Sequence, residues 1–134
     1  MLLRLALFAS LPLLAACTTT QPVVCTGGAS AKPVAELYFG RNIGPRLGVS
    51  EAGFQAFLDA EVTPRFPDGF TVLDGRGQWR DGGAIVREPS KVLVVALSDE
   101  ARDRAQLTAI AEAYKARFQQ QSVLTMVRSA CVSF

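Results

Sequence analysis

The chain of 134 residues contains no histidine. This absence removes the most common general base and the most common metal ligand of proteins. The chain also lacks an excess of either charge, with 14 basic and 12 acidic residues. A chain this close to neutrality has no electrostatic reason to bind nucleic acid. We therefore expect no metal site, no cofactor and no nucleic-acid partner, and any chemistry falls to carboxylates, Lys, Arg, Tyr and Ser.

The apolar run near the N-terminus, residues 5–14, is too short to span a bilayer, which takes about 20 residues. Arg4 precedes this run and two alanines follow it, which is typical of a signal peptide over residues 1–16. Residues 14–17 (Leu-Ala-Ala-Cys) resemble a bacterial lipobox. That resemblance implies that Cys17 becomes the lipidated first residue of the mature protein. An ordinary secretory signal followed by an unrelated Cys is the alternative.

Cys17 also predicts where the protein resides. Acyl chains contribute about 0.8 kcal/mol per buried methylene group, so a multiply acylated Cys17 would be held permanently in a membrane. In the lipobox pattern an Asp after the Cys is associated with retention in the inner membrane, and Thr18 stands there instead. The resemblance therefore favours an anchor in the bacterial outer membrane, facing the periplasm, over an inner-membrane anchor or a secreted protein.

Cysteine is scarce, with three residues in all. Once Cys17 is acylated, only Cys25 and Cys131 remain. The oxidising periplasm favours a disulfide between them, and two free thiols are the alternative. The bridge would close a loop of 105 residues (131 − 25 − 1), for which the chain-entropy model gives about 4.7 kcal/mol. This pairing leaves no cysteine for a thiol nucleophile or a zinc–thiolate site.

A single folded domain is expected after a tether. Removing residues 1–16 leaves 118 residues (134 − 16), a length that favours one domain. Residues 17–33 are rich in Thr, Pro, Gly and Ser and predict a flexible tether, so the domain is expected over residues 34–134. Alternating and helical hydrophobic patterns predict its elements: strand 34–39, helix 51–63, strand 70–73 resuming at 78–80, strand 84–97, a helix capped by Ser98-Asp99, and strand 123–134.

The order strand, helix, strand, strand, helix, strand is the split β-α-β signature of a ferredoxin-like sandwich. We therefore predict an α+β fold, β-α-β-β-α-β, in which a four-stranded antiparallel sheet carries both helices on one face. In this topology the last strand lies antiparallel beside the first. Cys131 would then fall near the start of the first strand, just after Cys25. The predicted topology and the predicted disulfide agree.

The two middle strands contain features that predict irregular structure. Residues 74–77 (Asp-Gly-Arg-Gly) predict a turn or bulge, and residues 81–83 (Asp-Gly-Gly) predict a hairpin turn. Pro89 cannot donate to a ladder and predicts a further bulge. Residues 92–97 are apolar on both faces, which predicts a central strand covered on both sides. A homodimer that pairs sheet to sheet is one arrangement that would cover the second face.

Six polar or aromatic residues are candidates for a site. Glu36 and Tyr38 should lie on the sheet face away from the helices, and Glu88 and Lys91 are expected on a neighbouring strand. A carboxylate, a phenol and an ammonium that converge there could bind a polar ligand. Trp79 is either a packing residue of the hairpin or an interface anchor. The predicted ligand or partner face consists of Tyr38, Arg41, Trp79, Glu88 and Lys91.

Two other interpretations of these residues stay open. Glu88 can form a structural ion pair with Lys91 or Arg41, because ionisable clusters are also built for structure. In an enzyme, Glu88 or Glu36 would act as the acid or base. Lys91, Arg41 or Tyr38 would then stabilise charge. The catalytic candidates are Glu88, Glu36 and Lys91.

Several short motifs, distributed over most of the predicted domain, resemble one bacterial family. They are residues 36–41 (Glu-Leu-Tyr-Phe-Gly-Arg), 62–69 (Val-Thr-Pro-Arg-Phe-Pro-Asp-Gly), 77–79 (Gly-Gln-Trp), 88–91 (Glu-Pro-Ser-Lys) and Tyr114-Lys115 with Phe118 and 121–123. In these motifs the chain is similar to domain of unknown function family 3574 (DUF3574) over residues 34–134. Many members look like envelope lipoproteins or secreted proteins, in agreement with Cys17. The family brings no activity, cofactor or catalytic residue.

The absence of histidine, the lipobox and the doubly apolar strand together favour a binding function. We predict a non-enzymatic, lipid-anchored periplasmic domain that binds a partner, a second copy of itself or a small ligand. It would act through its sheet face and the Trp79 hairpin. A small envelope enzyme without histidine is the first alternative, and a passive structural protein of the envelope is the second.

Overall fold

The computed structural model describes residues 22–134, so the predicted signal peptide and the predicted lipidation site at Cys17 lie outside the described residues. Hydrogen bonding and backbone angles define six strands, two α-helices and one π-helical turn. In chain order they are β1 (Ser30–Gly40), β2 (Asn42–Ile43), β3 (Arg46–Leu47), α1 (Glu51–Phe57) with a π-helical turn (Leu58–Val62), β4 (Thr71–Asp81), β5 (Ala84–Ala96), α2 (Glu100–Phe118) and β6 (Leu124–Val132).

Four of the strands form one antiparallel sheet in the order β4-β5-β1-β6. The last strand lies beside the first and the two middle strands form a hairpin, as the split β-α-β signature requires. The predicted ferredoxin-like α+β fold is therefore confirmed. The short strands β2 and β3 form a separate hairpin between β1 and α1, which no sequence pattern predicts.

One face of the sheet is buried under both helices. Along β1 the side chains alternate, with Ala35, Leu37 and Phe39 fully buried and the residues between them half-buried. Because Cβ atoms alternate across a strand, one face of β1 is core and the other is not. We call the second face, which points away from the helices, the open face. Four aromatic rings, from Phe39, Phe54, Phe57 and Tyr114, form the centre of the core.

The first helix has Ser50 as its N-cap and changes form before its end. Ser50 accepts a hydrogen bond from the Gly53 amide at 3.0 Å, which satisfies one of the free amides of the first turn. After Phe57 the chain widens into a π-helical turn that ends at Val62, close to the predicted end of the helix at residue 63. The amide of Thr63 donates to the carbonyl of Leu58, a five-residue spacing that the sequence pattern did not reveal.

The predicted turn or bulge at residues 74–77 is wrong. β4 runs unbroken from Thr71 to Asp81, and each of its residues has one partner on β5. Gly75 and Gly77 keep extended backbones, because the neighbouring strand supplies a complete ladder that outweighs their turn propensity. The second predicted turn is confirmed: Gly82 and Gly83 have positive φ angles of 51° and 93°, which favour glycine.

The predicted bulge at Pro89 is also wrong. Successive residues of β5 direct their backbone groups alternately toward β4 and toward β1. The Pro89 carbonyl accepts from the Arg41 amide at 3.1 Å, so the backbone of Pro89 points to the β1 side. The β1 pairing ends at the Gly40–Ser90 pair. The side of Pro89 that lacks an N–H therefore lies beyond the last residue pair of β1 and β5, where the ladder requires no donor. The ladder between β5 and β4 stays regular.

The predicted disulfide between Cys25 and Cys131 is present, with an S–S distance of 2.06 Å. Cys131 pairs with Ala31 across the sheet, which brings it beside the start of β1 as the topology predicts. β1 begins at Ser30, a few residues ahead of the boundary expected at residue 34. Within residues 22–134, no helix has the length and apolar character needed to cross a membrane.

Candidate functional site

The β4–β5 hairpin extends beyond the rest of the sheet. β1 pairs with β5 only as far as the Gly40–Ser90 pair, whereas the β4–β5 ladder continues to Asp81 and Ala84. Residues 76–81 and 84–89 therefore form a two-stranded ribbon that we call the arm. Six residues at about 3.3 Å each give it a length of about 20 Å.

Glu88 lies on the open face at the base of the arm. It pairs with Gly77, and it shares a face with Val92, which pairs with Tyr38. One carboxylate oxygen accepts a hydrogen bond from the Trp79 indole N–H at 3.1 Å, and the other accepts from the Asn42 amide at 3.2 Å. These contacts hold the indole beside the carboxylate at the end of β1.

Gly40 makes this arrangement possible. A Cβ atom at residue 40 would lie 2.6 Å from one Glu88 oxygen and 2.7 Å from the other. Such distances are below van der Waals contact, so the Glu88 carboxylate occupies the space that a side chain at residue 40 would fill. Gly77 pairs with Glu88, two positions before Trp79 on the same strand, and adds no side chain of its own. The two glycines thus leave room beside the Glu88 side chain.

Arg41 lies on the opposite side of the sheet, where it is only 7% exposed. Its Nε and Nη2 atoms donate to the Val49 carbonyl at 2.9 and 2.7 Å, and Nη1 donates to Glu51 at 2.5 Å. The guanidinium therefore ties the end of β1 to the segment between β3 and α1 and to the start of α1. Its donors are directed at internal partners, which is typical of a structural arginine.

Lys91 lies on the helix side as well. It pairs with Phe39 on one neighbour and Asp74 on the other, and opposed residues of antiparallel strands share a face. Its Nζ atom contacts Asp74 at 2.5 Å and Glu51 at 2.8 Å. The hydrogen bonds that Lys91 donates to Asp74 and then to Glu51 raise the pKa of Lys91, and Lys91 in turn lowers the pKa of both carboxylates. Within this cluster the charges of Arg41, Lys91, Glu51 and Asp74 balance.

The predicted ligand face is therefore only partly assembled. Tyr38, Trp79 and Glu88 lie on the open face, whereas Arg41 and Lys91 bind acids on the other side. The expectation that Lys91 joins the open face is wrong, because it is an odd number of positions from Glu88 and alternation turns it away. The predicted ion pair of Glu88 with Lys91 or Arg41 is absent from the salt bridges of the described residues.

The loss of both cations leaves Glu88 in an unusual position. Among residues 22–134, it is the only buried or half-buried acidic residue that forms no salt bridge. The other acids without a cation partner lie on the exposed surface. A partly desolvated charge without a counter-charge costs free energy, so Glu88 is the residue of this region that the fold does not explain.

Glu36 has its own partners further down the open face. It accepts from the Tyr38 hydroxyl and from Arg128, each at 2.5 Å. The hydrogen bond from Tyr38 and then that from Arg128 lower the pKa of Glu36, while its acceptance of the phenol proton raises the pKa of Tyr38. A carboxyl group that loses its proton so readily is a poor general acid. Glu36 and Glu88 also have separate hydrogen-bond partners.

Apolar side chains fill much of the remaining open face. Four of them are large and substantially exposed. They are Leu73 at 52%, Trp79 at 43%, Leu124 at 58% and Met126 at 40%. β5 is a central strand of the sheet, as residues 92–97 predicted, and Val92 and Val94 on its open face are half-buried. Nothing within the described residues covers this face.

Sequence reasoning missed several partners of the candidate residues. Glu51 was assigned only to a helix start, and Asp74 only to a turn, although both bind Lys91. Tyr114 entered the sequence analysis only as part of a family motif, yet its ring lies in the core and its hydroxyl donates to the Gly40 carbonyl at 2.8 Å. Burial raises the pKa of this phenol strongly. No local pattern signals such contacts, since the residues are far apart in sequence.

A concave surface also lies at the end of the sheet that is remote from the arm. It encloses about 360 Å³ between residues 64–69 and the first turns of α2. Asp103 lines it and accepts from the amides of Ser98 and Asp99, both at 2.9 Å. Burial favours a raised pKa for Asp103, but the backbone and Arg102 hydrogen bonds prevail and lower it. Across residues 22–134, no group of three or more Cys, Asp or Glu side chains is arranged to hold a metal ion.

The family model for DUF3574, described as a protein of unknown function, matches residues 34–134. The chain belongs to the DUF3574 family. The predicted resemblance is thus confirmed, and the fold shows where several family motifs of this DUF3574 protein meet. Gly40, Arg41, Trp79, Glu88 and Lys91 all lie around the end of β1. Among curated protein sequences, none matches the chain significantly.

Solved structures share the fold of this DUF3574 protein. A phage SAM lyase in its apo state is 18% identical, with a TM-score of 0.57, and the match covers 85% of this chain and 98% of that one. The phage SAM lyase in complex with S-methyl-5'-thioadenosine is 17% identical, with a TM-score of 0.56, and the match covers 86% of this chain and 97% of that one. CutA from Synechococcus elongatus PCC7942 is 16% identical, with a TM-score of 0.51, and the match covers 77% of this chain and 80% of that one. At these identities the similarity shows the fold alone.

Proposed function

We propose that this DUF3574 protein is a lipid-anchored interaction domain of the bacterial envelope that binds through its open face and its arm. The observation that carries this proposal is the uncovered sheet face with four large, exposed apolar side chains. Contiguous apolar surface of this kind marks interaction sites on soluble domains. The lipobox at Cys17 supports an anchor in the outer membrane on the periplasmic side.

A second copy of the chain is the partner that we propose for the open face. The face carries the Glu36–Arg128 pair, which is neutral as a unit, beside the apolar side chains of Leu73, Leu124 and Met126. A surface of this composition can pack against its own copy without burying an unpaired charge. The arm extends beyond the part of the sheet that would be covered, so Trp79 and Glu88 would lie at the rim of such a dimer.

The two ends of the sheet support the same arrangement. β1 begins next to the Cys25–Cys131 disulfide, and the predicted tether enters there. β1 ends at Gly40, from which the arm projects. A chain anchored through Cys17 would therefore carry the arm at the end of the sheet that is remote from the tether. Its open face and arm would be accessible to partners in the periplasm.

The experiment that tests self-association is sedimentation equilibrium of the full chain in a non-ionic detergent, with Leu124→Lys as the variant. A lysine at residue 124 places a charge in the proposed interface, so we expect the dimer dissociation constant to rise at least about ten-fold. Thr125→Lys is the matched control, because residue 125 is exposed on the same strand but faces the other way.

Two results would overturn the proposal. One is a native chain that stays monomeric at every concentration. The other is an equal effect of Leu124→Lys and Thr125→Lys on the mass. Circular dichroism of both variants checks that the fold is retained.

A further inference from the structure

Glu88 and Trp79 form a hydrogen-bonded pair on the arm. The Glu88 carboxylate is partly buried and has no cationic partner within residues 22–134, as shown above. Its two hydrogen bonds come from neutral donors, the Trp79 indole and the Asn42 amide. Carboxylate oxygens offer about four acceptor positions, so two of them remain for a further donor.

The surrounding arginines do not supply the missing charge. Arg76 and Arg87 pair with Pro89 and Gln78, which places both arginines on the face of the arm opposite to Glu88. Arg80 belongs to that same face and donates to the Gly83 carbonyl at 3.4 Å. Every basic residue of the arm therefore points away from Glu88. No basic residue of the arm therefore supplies a counter-charge to Glu88.

The indole of Trp79 indicates which class of cation could bind beside Glu88. It is 43% exposed and held beside the carboxylate through its ring N–H, so part of its surface faces solvent. An aromatic ring attracts organic cations over its face, and Trp does so most strongly. A small inorganic ion gains little from such a ring and needs several oxygen ligands, and only one carboxylate is present at this place. A cation with an apolar shell fits both groups.

We infer that Trp79 and Glu88 form a binding site for an alkylammonium group, with the cation over the indole and its charge balanced by the carboxylate. This inference rests on the proposed binding function and names the ligand class of one part of its surface. The ammonium belongs to a ligand in the periplasm rather than to a lipid of the anchoring membrane, because the arm projects from the end of the sheet that is remote from the tether.

The single tryptophan provides a direct measurement. The full chain in non-ionic detergent is titrated with tetramethylammonium chloride and with butylammonium chloride, and Trp79 fluorescence is followed. Sodium chloride at equal ionic strength and the neutral analogue tert-butanol are the controls. We expect a saturable fluorescence change with the alkylammonium salts and only a linear change with the controls. Vesicles of phosphatidylethanolamine, added as a further probe, should give no saturable change.

Glu88→Gln separates a binding role from a structural one. The Gln carbonyl can still accept from the Trp79 indole, so the ring stays in place, while the charge and the bond from the Asn42 amide are lost. We expect the affinity for tetramethylammonium to fall about ten-fold or more, since a bond to a charged group is replaced by a neutral one. Asp81→Asn is the matched control, as it removes an exposed acid of the same arm and should leave the affinity unchanged.

Three results would overturn the inference: equal fluorescence changes with tetramethylammonium and sodium, an unchanged affinity in Glu88→Gln, or saturation only with the lipid vesicles. If Glu88→Gln did not fold, the comparison of butylammonium with tert-butanol in the native chain would decide alone. The titration is repeated on Leu124→Lys. Retained affinity in that variant would show that the site survives even where sheet-to-sheet association fails.

Discussion

The two sides of the sheet meet at the end of β1 and handle charge in opposite ways. On the helix side, Arg41 and Lys91 are almost completely buried, and each is matched by acids and carbonyls. On the open side, Glu88 is half-buried and forms no salt bridge within residues 22–134. Buried charges that are paired serve the fold, whereas the unpaired Glu88 is the residue that we propose for a partner outside the chain. This difference in charge pairing distinguishes the structural residues Arg41 and Lys91 from the candidate functional residue Glu88, although all three belong to the family motifs.

The largest expected effect tests the difference in packing between the two sides. Phe39→Ala removes a fully buried ring that contacts Phe54, Phe57 and Tyr114, and we expect a loss of about 3–5 kcal/mol in the free energy of unfolding. Leu124→Ala on the open face should cost less than about 0.5 kcal/mol in the monomer. Urea unfolding of both variants measures this. Equal losses would mean that the open face is packed by something within the chain.

A smaller effect tests the difference in charge. Arg41→Met leaves the Val49 carbonyl without its two donors, and we expect a loss of about 2 kcal/mol in the free energy of unfolding. Glu88→Gln should cost less, about 0.5–1 kcal/mol, because the amide can keep only one of the two hydrogen bonds that the carboxylate accepts. The thermal midpoints of the two variants provide the check. A larger loss for Glu88→Gln than for Arg41→Met would make Glu88 a structural residue and remove the reason to seek its ligand.

The smallest effect concerns pH. Lys91 lowers the pKa of Glu51 and Asp74 in the folded state. A lowered folded-state pKa gives stabilisation that is complete above the unfolded pKa near 4 and is lost as the pH falls through the folded value. We therefore expect stability to decline below about pH 4, and Lys91→Met should flatten that decline. Urea unfolding across this pH range, with Arg46→Met as an exposed control, measures the slope. An unchanged slope would contradict the assigned pairs.

The sequence patterns predicted the fold because its determinants are periodic and local. Alternation in β1, the stripes of the two helices and the Asp81-Gly82-Gly83 turn specify the order of elements, and this order admits few topologies. The cysteine pairing was predicted from the three cysteines and the oxidising periplasm, and the same order of elements agrees with it. Residues 74–77 were misassigned because turn propensity is a local quantity, whereas the ladder between β4 and β5 belongs to the whole sheet.

The sequence predicted which residues belong to the candidate site but not the face of the sheet on which each of them lies. The sequence named Tyr38, Arg41, Trp79, Glu88 and Lys91, but it assigned the two cations to the wrong side. A shift of one position along a strand reverses the direction of a side chain, and the expected bulge at Pro89 would have made such a shift. The regular ladder through Pro89 turns Lys91 toward Phe39 instead.

The sequence by itself determined the order of the elements, the apolar face of each, the disulfide pair and the absence of histidine chemistry. These depend on composition and on short-range periodicity. Only the tertiary structure decided which charges meet, because Glu51, Asp74 and Lys91 come together from three separate elements. It likewise decided that Gly40 leaves room for Glu88 and that no cation of the described chain reaches it. Pairing between distant residues depends on the register of the sheet, and the register is a property of all four strands together.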